Sequence, residues 1–330
     1  MATILITGGA GYVGSHICLK LQEAGFEPVV FDDFSNGHFD AVEDFHVVEG
    51  DVRDTEALVE VMKAHKVKAV IHMAGLIEAG ISMEHPAAFY DVNCCGSFRL
   101  LEAMRKTEIN HIIFSSTAAL YGKGEKGQEL LHEKLPVAPI NPYGHSKAIV
   151  ETMLSDYASI YGFKAMALRY FNAAGADPAG RVGERHDPES HLIPIALQTA
   201  LGIRSKMALF GIDYDTPDGT CVRDYIHVSD LANAHVKALN FILSHEEPLF
   251  EAINIGTGKG YSVSQVLTTC RKVTGVDFLI EAKDRRPGDP AYLVADAAMA
   301  RDLLDWTPEF NKIEEMVLHA WNFLKEQQTK

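Results

Sequence analysis

The chain has 330 residues, with 30 lysines and arginines against 45 aspartates and glutamates, a formal net charge of −15. This acidic balance argues against nucleic acid or an anionic membrane as the main partner, since both attract cations. No apolar stretch reaches the roughly 20 residues that span a bilayer, so no membrane association is expected. The five cysteines show no CxxC spacing, which predicts no metal site, no disulfide framework and a cytoplasmic location.

Short β-rich runs alternate with longer helical patterns through the first half, which is typical of a parallel sheet with crossover helices. We predict strands at residues 3–7, 29–31, 45–49, 69–72, 112–114 and 165–168, and long helices at 87–106 and 142–161. The nearly continuous apolar strands indicate burial on both faces, as in a doubly wound sheet. Because the pattern loosens after residue 171, we predict an α/β fold with two domains, 1–171 and a smaller α/β domain at 172–330.

A glycine-rich turn follows the first predicted strand and precedes the first helix, with Gly8, Gly11 and Gly14 three residues apart. Glycines allow the backbone to turn tightly and to approach a pyrophosphate, which then rests on the positive end of the helix. Asp32 ends the second strand 18 residues after Gly14, the usual place for the acid that binds a ribose hydroxyl. Asp33 follows it, and two carboxylates would repel a 2′-phosphate. The sequence therefore predicts a Rossmann-like sheet that binds NAD rather than NADP.

Hydroxyl side chains at the end of the fifth strand, including Ser115 and Thr117, precede a Tyr143–Lys147 pair near the start of the long helix. The two residues of that pair are four apart, so they share a helix face. A positive charge about 6 Å away, at an effective dielectric of about 20, would stabilise a phenolate by roughly 3 kcal/mol, or about two pK units. We therefore predict that Tyr143 is a general base and that Lys147 lowers its pKa.

Several longer segments resemble known families. TGGAGYVGSH (7–16), SSTAALYG (115–122), NPYGHSK (141–147) and LRYFNAAGA (168–176) are similar to the extended short-chain dehydrogenase/reductase superfamily. In the second half the resemblance is to the NAD-dependent nucleotide-sugar 4-epimerases, and it is carried by HLIP (191–194), GIDYDTPDGTCVRDYIHV (211–228) and RRPGDP (285–290). The similarity extends from about residue 3 to residue 306.

The resemblance implies that UDP-galactose and UDP-glucose are interconverted through a transient 4-keto sugar and bound NADH. It makes Tyr143 the general base, Lys147 the partner of the nicotinamide ribose, and Thr117 the hydroxyl on the sugar's 4-oxygen, where the family usually has Ser. Further implied cofactor contacts are Tyr12, Val13, Asn36, Asp51, Val52, Met73, Ala74, Gly75, Asn93, Ser115, Tyr170 and Phe171. Implied UDP-sugar contacts are Asn172, Leu192, Ala208, Phe210, Arg223, Tyr225, Arg286 and Asp289. The resemblance also implies a homodimer through the helices at 87–106 and 142–161.

Three alternatives are weighed. Dehydratase and decarboxylase relatives carry acidic residues after the strand-five Thr, where this chain has Ala118 and Ala119. A 4-epimerase of an N-acetylated or pentose UDP-sugar stays open, because Leu293 or a neighbour occupies the position that limits the sugar pocket. A non-catalytic NAD-sensing protein would tend to lose Tyr143 or Lys147, and this chain keeps both.

Overall fold

The computed structural model describes residues 1–122, 130–286 and 289–328. Within these ranges, seven strands form one sheet in the order β10-β6-β5-β4-β1-β2-β3, and every neighbouring pair is parallel. The strands are β1 (Thr3–Thr7), β2 (Glu27–Asp32), β3 (His46–Glu49), β4 (Ala69–His72), β5 (His111–Thr117), β6 (Lys164–Tyr170) and β10 (Leu249–Ile255). This confirms the predicted α/β class with a Rossmann-like parallel sheet.

Helices cover both faces of this sheet. In β1, the side chains of Ile4 and Ile6 belong to one core and that of Leu5 to the other, because successive strand residues point to opposite faces. The helices on the first face are α1 (Tyr12–Glu23) and α8 (Val228–Ser244). Those on the second face are α2 (Thr55–Ala64), α5 (Ser97–Lys106) and α6 (Pro142–Tyr161). The double cover explains the uninterrupted apolar strands of the sequence.

The long helix α6 has the bounds expected from its sequence. The Asn141 side chain accepts a hydrogen bond from the backbone N–H of Gly144 at 2.8 Å, and Pro142 occupies the first turn. The other long helix is less regular than predicted. It begins with α4 (Pro86–Phe89), passes through a π-helical turn (Tyr90–Gly96) and continues as α5.

Strand β10 was not predicted. It pairs with β6 from Leu249↔Lys164 to Ile255↔Tyr170, so the second half of the chain returns to complete the larger sheet. Helix α8, which precedes β10, also packs on that sheet. The division at residue 171 stays a prediction. Wherever the boundary is placed, residues 228–255 pack with the seven-stranded sheet.

The rest of the second half forms two smaller sheets. The central strand β9 (Val222–His227) pairs with β7 (Asn172–Ala174), β11 (Gly260–Ser262) and β13 (Tyr292–Leu293), and β8 (Met207–Phe210) pairs with β12 (Ile280–Lys283). The remaining helices are α3 (Ala79–Ser82), α7 (Leu192–Ala200), α9 (Val263–Thr274), α10 (Ala298–Leu304) and α11 (Ile313–Gln327). None of the helices in the described ranges combines the length and apolar character needed to cross a bilayer.

Candidate active site

A deep cleft opens at the carboxyl ends of the parallel strands, where α/β sheets usually bind ligands. Most of the predicted cofactor residues line it: Gly8, Gly11, Tyr12, Val13, Gly14, Asp32, Asp33, Asn36, Asp51, Val52, Met73, Ala74, Gly75, Ser115, Tyr143, Tyr170 and Phe171. Of the predicted sugar contacts, Thr117 and Asn172 line the same cleft. The structure thus brings together residues from positions 8 to 172 of the sequence. Sequence reasoning missed other lining residues, among them Ser35, Arg53, Ile77, Glu78, Glu184, His186 and His191.

The glycine turn at the amino end of α1 is packed too closely to accept side chains. A Cβ on Gly14 would lie 2.3 Å from the Gly8 carbonyl oxygen, and one on Gly8 would lie 2.5 Å from the Ala74 nitrogen. Gly8 also has a φ of +72°, which favours glycine. Helix α1 has no side-chain cap and no acidic residue in its first turn, so its amino end is suited to an anionic group. The turn therefore fits the pyrophosphate of a dinucleotide.

Asp32 is held at the edge of the cleft by two backbone N–H groups. Its Oδ2 accepts from Ala10 and its Oδ1 from Phe34, both at 2.9 Å. Burial raises the pKa of Asp32, and these two hydrogen bonds oppose the rise. Arg53 also lines the cleft, where its charge is opposed by Asp51 at 2.5 Å and by a second aspartate. The arrangement fits an NAD ribose.

Lys147 lies beneath the cleft and is only 2% exposed. Its Nζ donates a hydrogen bond to the Ser115 carbonyl oxygen at 2.8 Å and lies 6.0 Å from the centroid of the Tyr143 ring. Burial lowers the pKa of Lys147 to about 8. The lysine is thus fixed next to the tyrosine, as the four-residue spacing predicted.

Tyr143 differs in one respect from the expectation. Burial raises the pKa of its phenol, and a hydrogen bond with Thr117 opposes that rise. The expected fall is not found, because burial, which disfavours the charged phenolate, is the largest influence on this pKa. Glu78, another residue of the cleft lining, also raises the pKa of Tyr143. The Tyr143–Thr117 contact still joins the two groups predicted to meet the sugar.

Asn93 lies in the π-helical turn and is buried. Its Oδ1 accepts from the Leu76 N–H at 2.8 Å, and its Nδ2 donates to the Leu76 carbonyl at 3.0 Å and to Ser146 Oγ at 2.9 Å. A Cβ on Gly75 would lie 2.9 Å from Asn93 Oδ1. The Asn93 side chain therefore holds the backbone that follows β4 and lines the cleft. Its amide oxygen and nitrogen are both used in these hydrogen bonds.

The predicted UDP contacts lie in the smaller sheets. Arg223 is buried, and its guanidinium donates to Asp289 Oδ1 at 2.5 Å. The exposed Arg286 stacks over the Phe210 ring at 4.5 Å from the centroid. Ala208 occupies the same face of β8 as Phe210, two residues away. The Asp289 N–H also donates to the Arg286 carbonyl at 3.3 Å, so these five positions form one local group. Pro287 and Gly288 of the RRPGDP motif lie outside the described residues.

Two other predicted contacts pack into the protein interior. Tyr225 is 4% exposed and belongs to the apolar core of the second half. Leu192 begins α7 and packs partly against the same core. Both roles stay predictions, and the burial of Tyr225 argues that it supports the site from behind.

Leu293, the candidate pocket-limiting residue, lies on β13 directly opposite Arg223. It packs against the apolar cluster of Ala118, Tyr121 and Leu131, which Phe171 also contacts. Leu293 therefore lies between the end of β5 and Arg223. A sugar bound between these two elements would be close to Leu293, and its role as the pocket-limiting residue stays a prediction.

A glycine turn on a helix terminus, an acid at the end of β2 and a Tyr–Lys pair whose lysine is buried together define an enzyme of the NAD-dependent short-chain dehydrogenase/reductase type. Known proteins resemble the chain over nearly its whole length. The model of the NAD dependent epimerase/dehydratase family matches residues 4–256. The chain belongs to that family, and the predicted family and its NAD cofactor are confirmed.

Two curated relatives carry the name UDP-glucose 4-epimerase. That of Halalkalibacterium halodurans is 46% identical over 98% of this chain and 96% of its own length. That of Rhizobium meliloti is 47% identical over 97% and 96%. The crystal structure of UDP-glucose 4-epimerase from Brucella ovis in complex with NAD superposes with a TM-score of 0.93, at 42% identity and 98% coverage of both chains.

Proposed function

We propose that the chain is a UDP-sugar 4-epimerase that interconverts UDP-galactose and UDP-glucose. The observation that carries this proposal is that Tyr143 and Thr117 line the same cofactor cleft, with Lys147 fixed 6.0 Å from the Tyr143 ring. The relatives named UDP-glucose 4-epimerase support the same substrate pair. Ala118 and Ala119, which follow Thr117, offer no acid or base for the elimination of water. The proposal therefore favours epimerisation over dehydration.

In the proposed reaction, Thr117 Oγ1 holds the 4-hydroxyl of the sugar and the Tyr143 phenolate accepts its proton. NAD⁺, when bound, supplies the hydride acceptor for C4 and a positive charge beside the phenol. The Lys147 ammonium, anchored on the Ser115 carbonyl, stabilises the phenolate form of Tyr143. The keto sugar would then rotate, C4 would take the hydride back on its other face, and Tyr143 would return the proton to the 4-oxygen. No proton is consumed in the cycle.

Turnover also requires that the UDP part be held while the sugar rotates. We propose that Arg223, Arg286 and Asp289 bind the diphosphate and ribose, because guanidinium groups suit phosphate oxygens. Residues 1–171 would then hold NAD and residues 172–330 the UDP-sugar. Asn172 and Leu293 would contact the sugar itself.

The decisive experiment is incubation of the purified protein with UDP-galactose and no added NAD. We expect UDP-glucose to form, because NAD is regenerated in each cycle and stays bound. Stoichiometric release of NADH would instead indicate a net dehydrogenase. Parallel reactions with UDP-N-acetylgalactosamine and UDP-arabinose test the alternative substrates. If the protein converts either of them faster than UDP-galactose, that sugar replaces UDP-galactose as the proposed substrate.

Replacing Arg223 by methionine is expected to raise KM for UDP-galactose roughly 10- to 100-fold, since it removes a charged donor and leaves the Asp289 carboxylate unpaired. The matched control is Arg285→Met. Arg285 is exposed and pairs with the exposed Asp213 at 2.6 Å, so its loss should change KM less than twofold. Equal effects of the two substitutions on KM would contradict the proposed diphosphate site.

We also propose that the chain forms a homodimer through the helical run 86–106 and α6. Exposed apolar side chains on these helices support this surface: Tyr90 (37% exposed), Phe98 (40%), Ile149 (40%), Ile160 (70%) and Tyr161 (52%). Sedimentation velocity should give twice the chain mass of 36.3 kDa. A monomer at micromolar concentration would contradict the dimer.

The five free cysteines support a reducing compartment, and we propose the cytoplasm.

A further inference from the structure

Four potential metal ligands meet on a segment that the proposed reaction does not use. The segment 184–191 connects the wall of the cleft to helix α7, and it carries Glu184, His186, Glu189 and His191. One ligand atom from each side chain can be chosen so that all four lie within 4.8 Å of one another. The cysteine spacing predicted no metal site, whereas these four ligands are histidines and carboxylates.

The contacts alternate around the cluster. His191 Nδ1 lies 2.9 Å from Glu184 Oε1 and 2.9 Å from Glu189 Oε1. His186 Nδ1 lies 3.2 Å from Glu184 Oε1 and 3.9 Å from Glu189 Oε2. Ligands bound tetrahedrally at 2.0–2.1 Å from a zinc ion are separated by about 3.4 Å. The four distances lie on either side of this value and use both oxygens of Glu189, so the side chains would have to move to bring one atom from each into a tetrahedral set.

Hydrogen bonding satisfies the two carboxylates unequally: Glu189 Oε1 accepts from the backbone N–H groups of Ser190 and His191, both at 2.8 Å, whereas within the described ranges Glu184 contacts only the two histidine rings. The side chains of Glu184 and Glu189 are only 7% and 2% exposed, and within the described ranges neither pairs with a lysine or arginine. His191 Nδ1 has at most one hydrogen for two carboxylates. His186 Nδ1 is buried and has no hydrogen-bond partner, despite its approach to Glu184. The buried Glu184 carboxylate and the unpartnered His186 nitrogen are the groups that a divalent cation would satisfy together, with Glu189 and His191 completing the ligand set.

We propose that Glu184, His186, Glu189 and His191 bind one divalent transition metal ion of the Zn²⁺ class. Two imidazoles and two carboxylates suit zinc better than magnesium or calcium, which prefer oxygen ligands alone. Four protein ligands leave no open position, so the ion is structural. It would fix the segment against the cofactor cleft, where the His186 ring packs edge-on against Tyr12 at 6.5 Å and Tyr12 Oη donates to the Gly175 carbonyl at 2.7 Å.

The test uses the full-length protein without a histidine tag, first freed of metal by dialysis against a chelator. Calorimetric titration with Zn²⁺ should give one equivalent bound per chain and a higher unfolding temperature, since an ion that binds only the folded state stabilises it. Co²⁺ should give the visible absorption of a tetrahedral site, which added Zn²⁺ should abolish. Failure of the wild-type protein to bind either ion would overturn the proposal, and so would a cobalt–thiolate charge-transfer band, because it would place the ion on a cysteine.

Two substitutions locate the ion within the chain. His186→Asn and Glu189→Gln should each weaken Zn²⁺ binding at least ~10-fold. The control is His319→Asn, because His319 forms a histidine pair with His227 at 2.9 Å outside the cluster. If the control weakens binding as much as the two cluster variants do, the assignment is wrong. Circular dichroism checks that the variants fold, and epimerase activity is not needed for any of these measurements.

Discussion

Replacing Tyr143 by phenylalanine should lower the rate of UDP-glucose formation by roughly 10²- to 10⁴-fold, the range that general acid–base groups contribute. The substitution removes the phenol that exchanges a proton with the sugar's 4-oxygen and keeps the ring. The edge-on contact with Phe89, at 6.4 Å between centroids, should persist, so folding and bound NAD should be unchanged. Initial rates with saturating UDP-galactose, together with NAD content, measure the effect.

Tyr157→Phe is the matched control for this variant. Tyr157 lies on the same helix α6, but its hydroxyl donates to Glu102 at 2.7 Å, outside the cleft lining. Its loss should leave the turnover rate within about twofold of wild type. If Tyr143→Phe retained more than a tenth of the wild-type rate with full NAD content, another group would have to be the base.

Replacing Gly14 by alanine should remove most of the bound NAD and lower the free energy of unfolding by about 1–3 kcal/mol. The new Cβ would lie 2.3 Å from the Gly8 carbonyl oxygen and 2.8 Å from Gly9 Cα. Both atoms belong to the backbone, so the turn itself must move, and it carries the N–H groups that face the pyrophosphate. NAD released by heat denaturation and quantified by chromatography measures the loss.

Gly80→Ala controls for the exchange of glycine for alanine in a helix. A Cβ at Gly80 would meet no atom within 4 Å, and the residue lies in the short helix α3. We expect its NAD content to match wild type and its stability to be unchanged or slightly higher. Full NAD retention by Gly14→Ala would show that the turn tolerates the displacement and that the dinucleotide is held elsewhere.

The site was predicted from local patterns, in which residues close together in the sequence are enough to indicate the structure they form. Gly8, Gly11 and Gly14 are spaced for one turn between a strand and a helix, and Asp32 follows at the end of the next strand. Tyr143 and Lys147 need only the periodicity of a single helix to share a face. Asn141 and Pro142 mark the start of that helix because capping is decided within its first turn.

The features that were missed depend on contacts between distant parts of the chain. Strand β10 pairs with β6, which lies more than eighty residues earlier in the sequence, and the residues of β10 do not indicate which strand it pairs with. The raised pKa of Tyr143 follows from burial, which spacing along a helix does not reveal. The EXHXXEXH spacing at residues 184–191 was visible in the sequence, but only folding shows that all four side chains point to one place.

The sequence by itself determined that the chain folds as a parallel α/β sheet and uses NAD, and it predicted a glycine turn for the dinucleotide and a Tyr–Lys pair for proton transfer. Even its net charge of −15 is compatible with an anionic substrate, since Arg223 and Arg286 provide local positive charge. Only the tertiary structure decided how these groups ionise and which of them lie in the cleft. The physical reason is that strand and helix signals are local, whereas desolvation and ion pairing depend on every element packed around a group.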